Sequence, residues 1–351
     1  MESSIVSTHI KNISKTLSLE ILNKQFEIQP SLRAKYTQRE INLYLQDTEY
    51  YLAYLSESIA AEQIKLFTEY IIWAKNFLCG LGIPENDLLI NLELIQSQIK
   101  EHLPPEMYKV AEVYLAEGIN TFKSPLKIIE SFININDSSA ALAQEYLDAL
   151  LKADRQRALN TIMNAYKTGT SIKDIYLNIF QVVQLEVGRL WQTSKISVAQ
   201  EHYITASTQV IMSQLYPYLF GTKKNNKNLL VTCINGELHE LGARMIADFF
   251  EMDGWNTYYL GANSPAASII KTIENQKTDV LAISATMTFN ISAVSELINK
   301  VRKQSSSNNL KIVVGGYPFK IAPNLWKQVG ADGFAADAQT AVAFVNQLVL
   351  N

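Results

Sequence analysis

The stretch Leu229-Leu230-Val231-Thr232-Cys233-Ile234-Asn235-Gly236-Glu237-Leu238-His239-Glu240-Leu241-Gly242 decides the fold of the last third of the chain. Its apolar beginning, residues 229–234, predicts a buried strand. Residues 243–251 then carry apolar side chains at helical spacing, which predicts a helix. His239 therefore lies in the loop that leaves the carboxyl end of a first strand, and open α/β sheets bind ligands at this edge.

Strands and helices alternate through the rest of this segment, which predicts a doubly wound parallel sheet of Rossmann-like type. The predicted strands are 229–234, 257–260, 280–284, 311–314 and 333–336. The predicted helices are 240–252, 265–275, 290–303, 321–328 and 338–349. A polar linker at 223–228 opens this domain, so we place its bounds at 223–351, with a surface loop at Ser305–Asn309.

The imidazole of His239 is a candidate metal ligand, because a carboxylate that holds its second nitrogen would fix its orientation. Glu237 and Glu240 are both close enough in sequence to do this, and Gly242 would let a bulky group approach the backbone. Taken alone, this short motif is also compatible with a solvated loop histidine.

The pattern Glu237-x-His239-x-x-Gly242 resembles the signature of cobalamin-binding domains, and further matching segments follow in order. These segments are Leu260–Pro265, Ser284-Ala285-Thr286, Gly315-Gly316 and Gly330–Gly333. The resemblance implies that His239 replaces the cofactor's own base as lower cobalt ligand. It also implies that the cofactor lies against Glu237, Leu238, Gly242, Ser284, Thr286, Gly315 and Gly316.

Two helical blocks precede the sheet. Residues 1 to about 30 carry few cues, and periodic apolar residues over 31–132 predict a four-helix-like module, so we assign 1–135 to an N-terminal helical domain. Residues 136–222 predict a four-helix bundle with helices at 140–153, 155–167, 171–191 and 198–219. Its first and third helices are predicted to be capped by the polar cluster 136–139 and by Ser171.

Trp191, Glu201 and His202 are spaced like the cap of CarH-like adenosylcobalamin photoreceptors, where such residues face the upper ligand. The alternative is a core tryptophan with a surface Glu-His pair. Gln192 departs from the photoreceptors that have a histidine there, which puts a two-histidine light state in doubt. Glu237 departs from most methyl-shuttling relatives, which have aspartate.

The N-terminal domain also resembles, in its arrangement, the bilin-holding helical domain of photocobilins. The stripe Phe67, Tyr70, Trp73 and Phe77, together with His102, is compatible with a tetrapyrrole pocket for biliverdin or another bilin, although such a stripe is more often core. Scattered lysines and arginines offer no basic recognition helix, so direct nucleic-acid binding is not expected.

The net charge of −3, two separated cysteines and the lack of a long apolar run predict a cytoplasmic protein without membrane or disulfide framework. We expect a non-enzymatic cobalamin-binding light sensor, with adenosylcobalamin as the first choice of cofactor and a protein partner or a second copy as output. The alternative is a corrinoid protein that carries a methyl group on cobalt in a methyltransferase system.

Overall fold

The computed structural model describes residues 2–126, 128–304 and 309–350 as an N-terminal helical domain, a helical cap and a parallel sheet. Most of the loop predicted at Ser305–Asn309 lies outside the described residues. None of the helices in the described ranges is long and apolar enough to cross a membrane.

The N-terminal domain contains six helices: α1 (Glu2–Ile28), α2 (Pro30–Lys35), α3 (Gln38–Ala60), α4 (Ile64–Gly80), α5 (Glu85–His102) and α6 (Pro105–Lys123). Residues 2–28, which carry few cues in the sequence, form the whole of α1. Helix α1 buries Val6, Ile10, Leu17 and Ile21, whose spacings follow the 3.6-residue period, against α3 and α5. The long polar run between these apolar positions hides the pattern.

The cap contains α7 (Ala140–Leu151), α8 (Arg155–Lys167), α9 (Ile172–Ile175), α10 (Gln181–Gln192) and α11 (Val198–Leu215). The helix predicted at 171–191 is interrupted by a π-helical turn, Tyr176–Phe180, and Ser171 caps its start by accepting from Asp174 N at 3.1 Å. The predicted cap at 136–139 is wrong in detail, because Ser139 makes no side-chain capping bond.

Five parallel strands form the sheet in the order β2-β1-β3-β4-β5. They are β1 (Asn228–Cys233), β2 (Asn256–Tyr259), β3 (Val280–Ser284), β4 (Lys311–Gly315) and β5 (Gly333–Phe334). The helices between them are α12 (Leu241–Met252), α13 (Ala266–Asn275), α14 (Ile291–Gln304), α15 (Tyr317–Ile321), α16 (Leu325–Gln328) and α17 (Ala338–Leu348). The predicted fold class is confirmed, although two short helices, α15 and α16, replace the single one expected at 321–328.

The strand order reverses between β1 and β3, and this reversal positions the site. The chain continues from β1 to one side of the sheet and from β3 to the other side. Two neighbouring parallel strands with such diverging connections leave a crevice at their carboxyl ends. Cys233 at the end of β1 pairs with Ser284 at the end of β3, which in turn pairs with Gly315 at the end of β4. The loops that carry His239 and Thr286 therefore leave the same edge of the sheet side by side.

Gly316 is the glycine that this edge depends on most. Its φ is +114°, and a Cβ there would lie 2.0 Å from the carbonyl oxygen of Ala285.

We expect Gly316→Ala to destabilise the protein by about 3 kcal/mol, because backbone strain and overlap act together. Gly242→Ala is the control, since a Cβ at Gly242 meets open space. Urea denaturation of the two cofactor-free variants measures the difference, and equal midpoints would contradict the assignment.

Asp47 in α3 gives the N-terminal domain a pH dependence. Burial raises the pKa of Asp47 to about 6, so the folded protein holds its proton more tightly than the unfolded chain does. Its contribution to stability is therefore present at pH 4 and lost as the pH rises through 6. We expect Asp47→Asn to stabilise the protein at pH 7 by about 2 kcal/mol, with the difference vanishing near pH 4. Thermal unfolding across this pH range measures it, and a pH-independent difference would count against the burial argument.

Candidate functional site

A buried carboxylate lies at the centre of the sheet edge. Glu237 is 0% exposed, and its Oε1 contacts His239 Nδ1 at 2.5 Å and accepts from His239 N at 3.1 Å. Its Oε2 accepts from Thr286 N at 2.7 Å, Met287 N at 3.0 Å and Asn290 Nδ2 at 3.1 Å. One side chain thus ties the loop after β1 to the turn after β3.

The charges of Glu237 and His239 stabilise each other. Burial opposes the ionised form of Glu237, but hydrogen bonds from His239 and Met287 outweigh it and lower the pKa of the carboxyl to about 2. The hydrogen bond with Glu237 raises the pKa of His239 against the opposing effect of burial, and the charge of Glu201 in the cap raises it further.

The surroundings of His239 fit a lower ligand for cobalt in cobalamin. Glu237 holds Nδ1, which leaves Nε2 to face a ligand, and the side chain is 59% exposed. The neighbouring Leu238 is 73% exposed, and the Cβ position of Gly242 is open. An oriented imidazole beside an exposed and open surface is what a large, flat metal cofactor requires.

Glu240, which could also have held His239 on sequence grounds, has a different role. Its Oε2 accepts from Tyr259 OH at 3.1 Å and from Ala262 N at 3.0 Å. Its Oε1 accepts from Gln209 Nε2 of the cap at 2.9 Å. Glu240 therefore connects cap helix α11 to the sheet, while Glu237 alone orients the imidazole.

The residues expected along the cofactor tail lie at the carboxyl ends of the neighbouring strands β3 and β4. Ser284 and Thr286 are half-buried, and Gly315 and Gly316 are adjacent to them across the β3–β4 pair. A Cβ at Gly315 would lie 3.5 Å from the carbonyl oxygen of Ala335. The structure thus brings the four residues to one edge, and their contact with a cofactor stays a prediction.

The three expected cap residues are not placed alike. Glu201 is half-buried, pairs with the exposed His202 at 2.5 Å, and accepts from Thr205 at 2.8 Å. Trp191 instead packs against the N-terminal domain, with its ring centroid 4.9 Å from Phe77 and 5.8 Å from Trp73. Nothing in the sequence indicates this contact, and the role of the three residues at an upper ligand stays a prediction.

The aromatic stripe of α4 is largely filled by neighbouring side chains. Phe67 and Tyr70 are buried, Tyr70 stacks on Tyr54 at 3.8 Å, and a Cβ at Gly118 would lie 2.5 Å from the Phe67 ring. His102 lies apart from the stripe and pairs with Glu20 at 3.1 Å. These contacts favour the core interpretation of Phe67 and Tyr70, while Trp73 and Phe77 extend the stripe to the cap.

Sequence reasoning missed Asn290. It is buried, and it donates to Glu237 from the short 3₁₀ turn Thr288–Asn290 that precedes α14. The available signal was its position at the start of a predicted helix, within one turn of the Ser284–Thr286 segment. This position alone does not predict the contact, because nothing in the sequence shows that a side chain there faces the loop after β1.

Comparison with known protein families identifies the parts of this chain. Residues 227–344 match the B12 binding domain family, and residues 142–216 match a second family of the same description. Residues 3–122 match the phycobilisome protein family. The sheet and the cap therefore match B12 binding domain families, and the N-terminal helical domain is similar to a third family.

Individual relatives are corrinoid proteins. Dimethylamine corrinoid protein 2 of Methanosarcina acetivorans is 22% identical over 219 residues, which are 61% of this chain and 98% of the relative. A corrinoid protein of Desulfitobacterium hafniense is 21% identical over 168 residues, 46% of this chain and 76% of the relative. The monomethylamine corrinoid protein of Methanosarcina barkeri shares the fold, with a TM-score of 0.54 and 19% identity over 60% of this chain and 100% of that chain. These relatives are not photoreceptors, although the cap motif first suggested that group.

The hydrogen bond from Asn290 can be tested without cofactor. Asn290→Ala removes one of the donors to the buried Glu237 carboxylate, and we expect a loss of about 2 kcal/mol in stability. Asn324→Ala is the matched control, because Asn324 precedes α16 without a side-chain capping bond. Urea denaturation measures both variants, and equal losses would show that Glu237 does not depend on Asn290.

Proposed function

We propose that this protein is a corrinoid carrier: it binds cobalamin between cap and sheet, with His239 as the lower ligand, and presents a methyl group on cobalt to partner methyltransferases. A carrier of this kind is not an enzyme by itself. The observation that carries the proposal is the imidazole held by the buried Glu237 at the switch point of a B12-binding domain.

The comparisons favour methyl transport over light sensing. The dimethylamine corrinoid protein aligns over 98% of its own length, so nothing of substance in that relative lacks a counterpart here. Both the sheet and the cap match B12 binding domain families. The N-terminal domain is then an addition to a carrier, and its role is a separate question.

The residues of this chain would act through orientation. Bound cobalamin supplies a cobalt centre that accepts and gives up a methyl group. Glu237 fixes the imidazole of His239 and, by accepting from Nδ1–H, makes Nε2 a stronger donor to metal. The hydrogen bond between Glu240 and Gln209 holds α11 close to the sheet. The cap would therefore exclude water from the side of a bound cofactor that faces away from His239.

The lower ligand is tested with a pair of histidine variants. We expect His239→Ala to lose the nitrogen hyperfine splitting in the electron paramagnetic resonance spectrum of the cobalt(II) form, and to retain cofactor at least about tenfold less well. His202→Ala, in the exposed partner of Glu201, should keep the splitting. A His239→Ala protein with unchanged spectrum and retention would overturn the assignment.

The carrier role is tested by methyl transfer. Protein loaded with cobalamin is incubated with a methylamine-class methyl donor and its methyltransferase, and the conversion of the cobalt spectrum is followed. Repeated turnover that His239→Ala slows supports the carrier proposal. Binding of cobalamin without methylation by any such partner would contradict it while leaving the cofactor site intact.

A second candidate is a light-responsive protein that holds adenosylcobalamin. Glu201 in cap helix α11 is a carboxylate that could accept hydrogen bonds from ribose hydroxyls, and Trp191 lies at the end of cap helix α10. Residues 3–122 match the phycobilisome protein family, and this match supports the proposal that the N-terminal domain binds a bilin.

Light and chromophores are tested together. Protein is produced in cells supplied with both cobalamin and biliverdin, and its absorption is recorded before and after green illumination. A light-induced change in the cobalt bands supports this candidate, and a visible band lost in a Trp73→Ala variant supports the bilin. Cobalt bands that do not respond to light, together with the absence of a visible band that depends on Trp73, would contradict this second candidate function.

A further inference from the structure

Helix α4 of the N-terminal domain contacts both halves of the cofactor site. Leu66, near its start, is 1% exposed and belongs to the hydrophobic core of the sheet. Near its end, Trp73 and Phe77 pack against Trp191 of the cap, and Gln192 Nε2 donates to the carbonyl oxygen of Trp73 at 3.4 Å. The cap and the sheet are therefore bridged by a third domain.

The joint between the N-terminal domain and the sheet is extensive. Glu57 of α3 is 2% exposed and accepts from Ser292 Oγ at 2.7 Å and from Ser292 N at 3.3 Å, at the start of α14. Lys11 pairs with the same carboxylate at 2.5 Å, and Tyr50 stacks on Phe289 at 5.9 Å. Separation here would take both Ser292 hydrogen bonds from the Glu57 carboxylate and leave it with Lys11 of its own domain, which is unfavourable.

The joint between the N-terminal domain and the cap is smaller. Where α4 meets the cap, it consists of half-buried rings and one long hydrogen bond, so this part can open without taking hydrogen bonds from a buried charge. The segment after α6 stays bound to the cap, because Phe132 N donates to the buried Glu186 at 2.9 Å. On its other side, the cap is held to α12 by Tyr176, whose hydroxyl donates to the buried Asp248 at 2.8 Å. The contact between α4 and Trp191 is therefore the place where the N-terminal helices and the cap can separate without uncovering a buried charge.

We propose that the N-terminal domain is an intramolecular strap. It is fixed to the sheet through Glu57 and Leu66 and holds the cap closed by packing the adjacent rings of Trp73 and Phe77 against Trp191. Entry of a corrinoid, or docking of a protein at the covered face, requires α4 to release Trp191. This inference rests on the proposed function only in taking the cleft between cap and sheet as the cofactor site.

A reversible cross-link tests the strap directly. A Cβ placed at Gly80, the last residue of α4, would lie 3.2 Å from Ser194 Oγ, a separation that suits a disulfide. The variant carries Gly80→Cys and Ser194→Cys, with Cys79→Ser to remove the neighbouring thiol. We expect the oxidised cofactor-free protein to take up cobalamin at least about tenfold more slowly than the reduced one, and reductant to restore the rate.

The control is the Cys79→Ser protein, whose uptake rate should not respond to oxidation. Equal rates for the oxidised and reduced double-cysteine protein would overturn the strap. Failure of the two thiols to join would also overturn it, because the two ends would then not meet as described.

A loosening variant tests the opposite direction. Phe77→Ala removes a ring from the cap joint, and Tyr50→Ala, the matched control, removes a ring from the sheet joint. In the cofactor-free proteins, we expect amide hydrogen exchange in α11 to become about tenfold faster in Phe77→Ala, a change that corresponds to the loss of one or two aromatic contacts. We expect it to stay unchanged in Tyr50→Ala.

The two proposals fail in different ways. If neither the parent nor any variant takes up cobalamin, the proposed function is wrong, while hydrogen exchange of the cofactor-free proteins still decides the strap. If cobalamin binds and Phe77→Ala matches the parent in both uptake and exchange, the strap is wrong and the cofactor site stands.

Discussion

The Glu237 carboxylate is the interaction on which the site depends. It is fully buried, and its two oxygens accept hydrogen bonds from the loop after β1 and from the turn after β3. A buried charge is tolerated only when it is well hydrogen-bonded, so these loops cannot separate without a large loss of free energy. Their fixed relation gives His239 one orientation before any cofactor arrives, which reduces the entropy lost on binding.

Three carboxylates divide the tasks of assembling the domains. Glu237 orients the imidazole, Glu240 connects the cap to the sheet through Gln209, and Glu57 fixes the N-terminal domain to α14. Each accepts from donors on a different element, so each links segments that are distant in sequence. The apolar cores give the domains their stability, while these charged contacts determine how the domains meet.

The sequence predicted the sheet well because each strand is a short apolar run bounded by turn residues, and parallel order follows from alternation with helices. His239 and the Ser284–Thr286 and Gly315-Gly316 segments were proposed from their resemblance to cobalamin-binding domains, and the structure brings them to one sheet edge, while their contact with a cofactor stays a prediction. It did not predict Asn290, the role of Glu240, or the contact of Trp191 with α4. These depend on which way side chains face across domain boundaries, and local periodicity carries no information about that.

The length of helix α4 sets the distance between its contact with the sheet and its contact with the cap. Leu66, in the sheet core, and Phe77, against the cap, are 11 positions apart, which is about three helical turns, so both project from the same face. Inserting or deleting one residue between them would rotate one anchor by about 100° relative to the other. Its length should therefore vary less among proteins of this architecture than the lengths of the surrounding loops.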